Sequence, residues 1–393
     1  MLEWSGADCY NEAHEKLYFC CEYGEDTPML TTRERFVRTL TGQDTDRAPF
    51  MKVFGVDNAT QPEWTAQYPG LPKYIDELLK FEGGYRGWRI APVNYWLCGT
   101  PETQVLSETE EDRIIRLGDG TVAVQRKHGD YHAHTVEYPV KTQEDWDRLK
   151  SLYLDPDDPR RLPPDWEWYV ELYRDREFPL QLTCGGVYGF LRKMMGDEGL
   201  CFALYDDPEL VRDITESYIS MCLRLWERMC RDVQFDLIEC WEDMASKTGA
   251  IISPAMFEEF LAPQYRRIRA FADAHHIPIV LVDSDGNIND LAHQMFAAGV
   301  NVMYPFEVGA GCDVIGTLDA IPGLGAIGAL EKDACAHGKE AIDEQIERAR
   351  MLLRHGRIIP GPDHFVLNNV PFEGYKYFMN RLREFILTTK PGS

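Results

Sequence analysis

Three things are missing from this 393-residue chain: a basic excess, a long apolar run and a paired-cysteine motif. Lys and Arg number 41 against 65 Asp and Glu, a formal net charge of −24. A free-standing nucleic-acid binder needs cationic surface to neutralise phosphate, and here the excess runs the other way. A polybasic membrane anchor is disfavoured on the same ground. No stretch approaches the roughly 18 consecutive apolar residues of a membrane span. Met1–Asp26 is acidic and lacks a charged-then-apolar signal layout, so the cytoplasm is the expected location. None of the 11 cysteines forms a CxxC pair, which leaves no thiolate zinc ribbon and no thioredoxin-like motif. Reduced, mostly buried thiols are expected instead. No GxGxxG follows a strand and no Walker loop is present, which weakens a nucleotide-binding reading.

What is present can build a large core. Hydrophobic residues make up 44% and aromatics 12%, which argues against disorder. Residues 1–30 read as a polar N-terminal extension. Thr31 or Thr32 then caps a helix with Glu34 in its first turn, and Phe36, Val37 and Leu40 form the apolar stripe. Asp46-Arg47-Ala48-Pro49 leads into an extended run, Phe50 to Val56. Arg113–Leu117 and Thr121–Gln125 flank Gly118-Asp119-Gly120, the pattern of a β-hairpin within an antiparallel insertion near 110–140. Leu154–Pro164 is acidic, proline-rich and linker-like.

The second half alternates apolar β-rich runs with helical patterns. Strands are expected at 178–184, 235–240, 277–282, 300–306, 324–330 and 357–360. Helices are expected at 254–275 and 340–355. Near-continuous apolar strands separated by helices mean parallel strands covered on both faces. With one or two earlier strands, the expected fold is α/β, an eight-stranded (β/α) TIM-type barrel filling residues 31–393. A doubly wound open sheet is the alternative.

In such a barrel the chemistry sits at the C-terminal ends of the strands. Those ends are acidic here: Glu239, Glu242 and Asp243; Asp283 and Asp285; Glu307; Glu331; then Asp363 and His364. A helix cap accounts for Asp290, Asp313 or Glu331 as well as a site does. It does not easily account for the whole set, because converging carboxylates need a proton or a cation among them. Asp283, Asp285, Glu307 and His364 would give an oxygen-rich set with one nitrogen, suited to zinc or a harder divalent metal. A lone His after a terminal strand is equally a structural hydrogen-bonder. His128, His132 and His134 read as an exposed strand face rather than a metal site. His275-His276 sits at a helix end, where a cation suits the dipole. Trp88, Tyr95, Trp96 and Tyr188 could wall an apolar pocket or pack in the core.

These residues also resemble a known family. Thr31-Thr32-Arg33-Glu34-Arg35-Phe36, Leu40-Thr41-Gly42 and Asp46-Arg47-Ala48-Pro49 are similar to the N-terminal signature of the uroporphyrinogen decarboxylase superfamily. Asp243–Gly249, Ile252-Ser253-Pro254, Asp285-Gly286-Asn287, Tyr304-Pro305-Phe306-Glu307 and Pro360–His364 resemble its later segments. The resemblance spans about residues 31–390 and implies a (β/α) barrel with its site at the strand C-termini.

Two chemistries divide that superfamily. The decarboxylases bind a polycarboxylate tetrapyrrole with paired arginines in a glycine-rich loop after the first strand. Here the loop, Met51–Asn58, holds no arginine, and an acidic mouth repels a polyanion. The other branch moves methyl groups to or from corrinoid proteins, and its thiol-methylating members hold zinc in a His-x-Cys pair. That pair falls on Asp283-x-Asp285, the branch's later Cys on His364 and its Glu on Glu307. The replacement implies a harder substrate ligand, such as an ether or hydroxyl oxygen. The expected activity is transfer of a methyl group from a small methoxylated substrate, an O-demethylation. The acceptor is a corrinoid on a partner protein, because the chain carries no Asp-x-His-x-x-Gly cobalamin signature. A decarboxylase of a small acid is the alternative. Zinc or another divalent ion is expected on Asp283, Asp285, Glu307 and His364. His364, Glu242 and Asp243 are the candidate catalytic groups, and Trp96, Tyr188 and Asn287 the candidate substrate contacts. A homodimer is the expected assembly.

Overall fold

The structure, a computed structural model, describes residues 29–54, 62–84, 86–127, 133–366 and 370–392. Most of the expected N-terminal extension (1–30), along with His128 and His132, lies outside the described residues.

The helix Thr32–Thr41 starts on a reciprocal cap. The Thr31 hydroxyl accepts the Glu34 N–H at 3.2 Å, and a Glu34 carboxylate oxygen takes the Thr31 N–H at 2.7 Å. Gly42, at φ +70°, closes its other end. Its buried face carries Phe36 and Leu40 into the inside of the main sheet, and Arg33 anchors it to Asp236 at 2.8 Å. Asp236 immediately precedes a strand, so this helix closes the N-terminal end of the sheet.

That sheet has seven parallel strands in the order β1 (Arg89–Ile90), β6 (Leu180–Cys184), β7 (Leu237–Trp241), β10 (Ile279–Asp283), β11 (Val302–Tyr304), β12 (Gly325–Leu330) and β13 (Ile358–Pro362). Helices such as Pro208–Cys230, Ala262–Ala274, Lys339–Leu353 and Phe372–Leu387 connect or flank the strands. The fold is α/β with a curled parallel sheet. A closed eight-stranded barrel is not found among the described residues. The place of an eighth strand is filled by buried, non-strand backbone at Phe50–Phe54. Val53 N–H donates to Arg86 O at 3.1 Å on one side, while the Val53 side chain lies against Gly361 of β13 on the other.

Alternation along the strands divides two cores. Leu237, Ile279, Leu281, Val302, Tyr304, Ile327 and Ile359 point into the curl, where they meet Phe36, Met51, Val53, Phe54 and Trp88. Ile238, Cys240, Val280, Val282, Met303 and Ala326 point outward to the helices. The same period brings Gln181, Thr183, Glu239, Asp283 and Tyr304 inside together.

β3 (Asp112–Arg116) and β4 (Val122–Arg126) are antiparallel around the Asp-Gly turn. They form the middle of a four-stranded sheet with β2 (Gln104–Glu108) and β5 (His134–Glu137), so the insertion starts earlier than a simple hairpin would. A two-stranded ribbon, β8 (Ala245–Ser246) with β9 (Gly249–Ala250), follows β7. The linker-like 154–164 stretch is not loose. Arg161, 1% exposed, donates to the carbonyls of Asp155, Asn94, Trp96 and Tyr153. Among the described residues no helix is long and apolar enough to cross a membrane.

Candidate active site

The strand ends hold two layers of polar groups. In the inner layer, the Arg86 guanidinium sits 3.1 Å from Asp283 Oδ2 and 3.6 Å from Glu239 Oε1. It lies over the rings of Phe54, 4.9 Å away, and Tyr304, 5.5 Å away. Gln181 donates to Glu239 and to the Thr183 hydroxyl, and the Trp88 indole N–H donates to Gln181. Burial raises the pKa of Glu239, although Arg86 opposes it. Burial and the nearby Glu239 charge hold Asp283 well above the usual carboxylate range. The Arg86 pKa is raised in turn: burial alone would lower it, and Tyr304, Asp283 and Glu239 reverse that. The Tyr304 hydroxyl is buried and has no hydrogen-bond partner among the described residues.

In the outer layer, His364 Nε2 lies 3.0 Å from Asp285 Oδ2. The imidazole stacks on Phe54, centroids 4.9 Å apart at 15°, and Phe54 stacks on Tyr304 at 4.7 Å and 5°. Burial acts to lower the His364 pKa, but the hydrogen bond and charge of Asp285 outweigh it, and the net shift is upward. Asp243 Oδ2 accepts from Arg192 at 2.8 Å. The Asp243 pKa is raised, first by burial and then by the Asp285 charge. The Oδ1 atoms of Asp243 and Asp285 are buried and lack partners among the described residues.

Three expected site groups are occupied with structure instead. Glu242 is fully buried. It accepts the N–H groups of Val187 (2.7 Å), Tyr188 (2.7 Å) and Gly189 (2.9 Å) and the Tyr265 hydroxyl, so it caps the helix Tyr188–Asp206. Tyr188 is 1% exposed and lies in the core between sheet and helices, where its hydroxyl donates to Asp197 at 3.2 Å. Asn287 ties loops together, donating to Gly311 O at 3.3 Å and to Ser246 O at 2.9 Å. Trp96 is half-buried, stacked on Phe190 at 5.8 Å, with Gly185 at the end of β6 directly beneath its ring.

The metal expectation fails a test of fit. Asp283 is engaged by Arg86, and Asp285 and His364 engage each other. Glu307 accepts the Gly286 N–H at 2.9 Å and faces Lys332 at 3.9 Å. Among the described residues no three His, Cys, Asp or Glu side chains could hold a metal ion. The four expected ligands do not fit one as arranged. The chain supplies its own cations, Arg86, Arg192 and Lys332, where the acidic strand ends had implied one from outside. Asp363 needs none: its oxygens accept the N–H groups of Gly309 (2.9 Å) and Lys332 (3.0 Å).

Elsewhere, Asp313 caps the helix Val314–Ala320, and Glu331 is exposed. His275 ends its helix and bonds Glu227 at 2.8 Å, while His134 lies exposed on β5. Sequence reasoning missed Arg86. Its signal was the glycine bracket Gly83-Gly84 and Gly87, which allows backbone to pass close to Met51 and lets the intervening residue turn inward.

The uroporphyrinogen decarboxylase (URO-D) family model matches residues 123–385. Among solved structures, a methyltransferase from Methanosarcina mazei covers 91% of this chain and 99% of its own, at 16% identity and a TM-score of 0.56. At that identity the likeness concerns the fold alone. A Listeria monocytogenes protein described as a vitamin-B12 independent methionine synthase covers 57% of this chain and 68% of its own, at 12% identity. Its TM-score of 0.33 carries no argument. No curated protein matches the chain in sequence.

Proposed function

The chain belongs to the uroporphyrinogen decarboxylase family, and from that premise we propose that it is a methyltransferase. It moves a methyl group from a small methoxylated substrate to a corrinoid carried by a partner protein. The observation that carries this reading is the His364–Asp285 pair at the ends of β13 and β10. Its fold likeness to a methyltransferase supports the same branch.

Breaking a methyl–oxygen bond leaves the electron pair on oxygen, and an unprotonated alkoxide or phenoxide is a poor leaving group. A positioned acid lowers that barrier. Asp285 holds Nε2, which fixes the ring, stabilises its charged form and leaves Nδ1 to hold the proton for the departing oxygen. The Phe54 ring fixes the imidazole plane from one side. When bound, the partner's reduced corrinoid supplies the electron pair that accepts the methyl group. Phe365, edge-on to Phe54 at 4.8 Å, adds an apolar wall that suits an aromatic methyl ether. Nothing in this route passes through a metal.

A second reading, decarboxylation of a small acid, is favoured by one observation, the Arg86 cation among the inner carboxylates. One assay separates the two. Purified protein, a free reduced corrinoid and a methoxylated aromatic should give the methylcobalamin spectrum, and His364→Ala should slow it about a hundredfold or more. Carbon dioxide release without corrinoid would instead support the lyase.

A further inference from the structure

Two hydrogen-bond donors at the strand ends have no acceptor among the described residues. His364 spends Nε2 on Asp285 at 3.0 Å, and nothing takes its Nδ1. Lys332 Nζ has one ionic neighbour, Glu307 Oε1 at 3.9 Å, which is too far for a hydrogen bond. Glu307 is engaged elsewhere, its Oε2 taking the Gly286 N–H at 2.9 Å. Both donors are recessed yet open. The Lys332 side chain is 12% exposed and that of His364 26%, and neither donor atom is sealed from solvent as Asp243 Oδ1 and Asp285 Oδ1 are.

The two share one corner of the mouth. Lys332 follows β12 and His364 follows β13, its neighbour in the sheet. The backbone between them is pinned: Asp363 takes the Lys332 N–H at 3.0 Å and the Gly309 N–H at 2.9 Å, and its own N–H donates to Leu330 O at 2.7 Å. Lys332, Glu307 and Asp285 are the electrostatic neighbours of the His364 ring. An ammonium carries three donors and a full charge, so a recess that offers it no acceptor suits an incoming oxygen. The corner is already balanced, Lys332 and protonated His364 against Glu307 and Asp285. It therefore does not call for a permanent anion. It suits an oxygen that is neutral when it binds and gains charge only as its bond breaks.

We propose that Lys332 Nζ and His364 Nδ1 form an oxyanion site for the oxygen that loses its methyl group, which makes Lys332 a further catalytic residue. This rests on the methyl-transfer reading. The methyl–oxygen bond breaks with its electron pair staying on oxygen, and the methyl carbon takes its new bond from the electron pair of the partner's reduced corrinoid. Lys332 meets the growing charge, and the proton on His364 Nδ1 passes to the oxygen to leave a neutral phenol. The ammonium does for this oxygen what a Lewis-acidic ion does elsewhere.

The test uses the purified chain without corrinoid and a coloured product analogue, 2-methoxy-4-nitrophenol, whose ionised form absorbs visible light. Bound to the protein, the phenol should ionise about one pH unit lower than in water, because its phenolate is held about tenfold tighter than its neutral form. Lys332→Met should lose most of that shift, and Lys332→Arg, which keeps the charge, should retain it. No binding at millimolar concentration, a bound phenol that ionises no more readily than the free one, or a shift that Lys332→Met leaves intact overturns the proposal. So does 3-methoxybenzoate binding that weakens tenfold in Lys332→Met while the phenol's shift stays, because a carboxylate would then own the lysine. If the shift appears and depends on Lys332 but a methoxylated aromatic and reduced corrinoid never give methylcobalamin, the oxyanion site stands and the methyl-transfer reading falls. If methylcobalamin forms and Lys332→Met alters neither its rate nor the shift, the methyl-transfer reading stands and this site falls.

Discussion

His364 Nε2 lies 3.0 Å from Asp285 Oδ2, and the same imidazole lies flat on Phe54, 4.9 Å away. The carboxylate raises the imidazole's proton affinity and the phenyl ring fixes its plane. Burial alone would lower that affinity, and Asp285 outweighs it. A histidine raised in the fold contributes stability that is fully present below its unfolded pKa of about 6.5 and is lost as pH rises through the folded value. If the protonated form is the acid, turnover falls through the same upper limit. An NMR titration of His364 should therefore give a pKa above the ordinary histidine value. Asp285→Asn should lower it and move the alkaline limb of the rate profile down with it. A rate profile that stays put while the titration moves would exclude His364 as the acid.

Arg86 is the cation between Asp283 and Glu239, and its removal leaves two buried acids facing each other. Breaking such a cluster by deleting one partner typically costs about 3–5 kcal/mol. Arg86 lowers the pKa of both acids, so Arg86→Met should raise them further. A carboxyl raised in the fold loses stability as pH climbs above its ordinary value. The variant should therefore be most impaired at alkaline pH and partly recover near pH 5. Urea unfolding at the two pH values measures this; an equal loss at both would mean that packing, not charge, is what Arg86 supplies.

Zinc provides a sharper check on the pairing at the mouth. With Asp283 committed to Arg86 and Asp285 to His364, an added divalent ion would have to break both contacts. Titration with zinc to well above the protein concentration should leave the melting temperature within about 1 °C. Binding to the native state stabilises by mass action, so a rise that grows with zinc would reveal a real site.

Each expected parallel strand appears within a few residues of its place, because apolar runs bounded by turn residues are a strong local signal. The extended run expected at 50–56 is broken among its described residues at Val53, whose φ of +58° turns the backbone out of extended geometry. The strand-end acids were legible as a group. Their partners were not, because Arg86 lies 197 positions from Asp283 in the chain and Arg192 lies 51 from Asp243. Glu242 looked like its neighbour Asp243, and one step along the chain turned it outward to a helix instead of inward to the mouth. Spacing reveals which residues reach the end of a strand; it does not reveal which oxygen already has a donor.

Gly186 is one place where a methyl group alone should be decisive. It sits at φ +77°, and a Cβ there would press on the Trp241 carbonyl and stand 2.6 Å from Glu242 Oε2. Gly186→Ala meets both the backbone penalty and the clash, so it should destabilise by at least 1–3 kcal/mol, on the order expected for strained backbone. The sign is the check: an alanine that stabilised would mean the chain is not held in this conformation.

Glu242 is buried, and its pKa is pushed up to about 7, by burial first, against lowering by Tyr265 and three backbone N–H groups. Such a carboxyl keeps its proton in the fold after the unfolded chain has released it. Stability from this group therefore falls as pH rises from the ordinary value of 4.5 to about 7. The loss is of order 3 kcal/mol. Glu242→Gln removes the titration. The amide accepts on its one oxygen only, and its NH2 faces backbone N–H donors that it cannot satisfy. At pH 5 it should be less stable than the wild type by about 1–3 kcal/mol for each donor left over, and between pH 5 and 8 its stability should change less than the wild type's. Glu242→Ala instead strands the N–H groups of Val187, Tyr188 and Gly189 in the core. Each unsatisfied buried donor costs about 1–3 kcal/mol, so this variant should be severely impaired at both pH values. Urea unfolding curves for the three proteins at pH 5 and pH 8 distinguish these outcomes. A glutamine variant with the wild-type slope would place the titrating group elsewhere, and an alanine variant of normal stability would mean that the helix Tyr188–Asp206 does not depend on this cap.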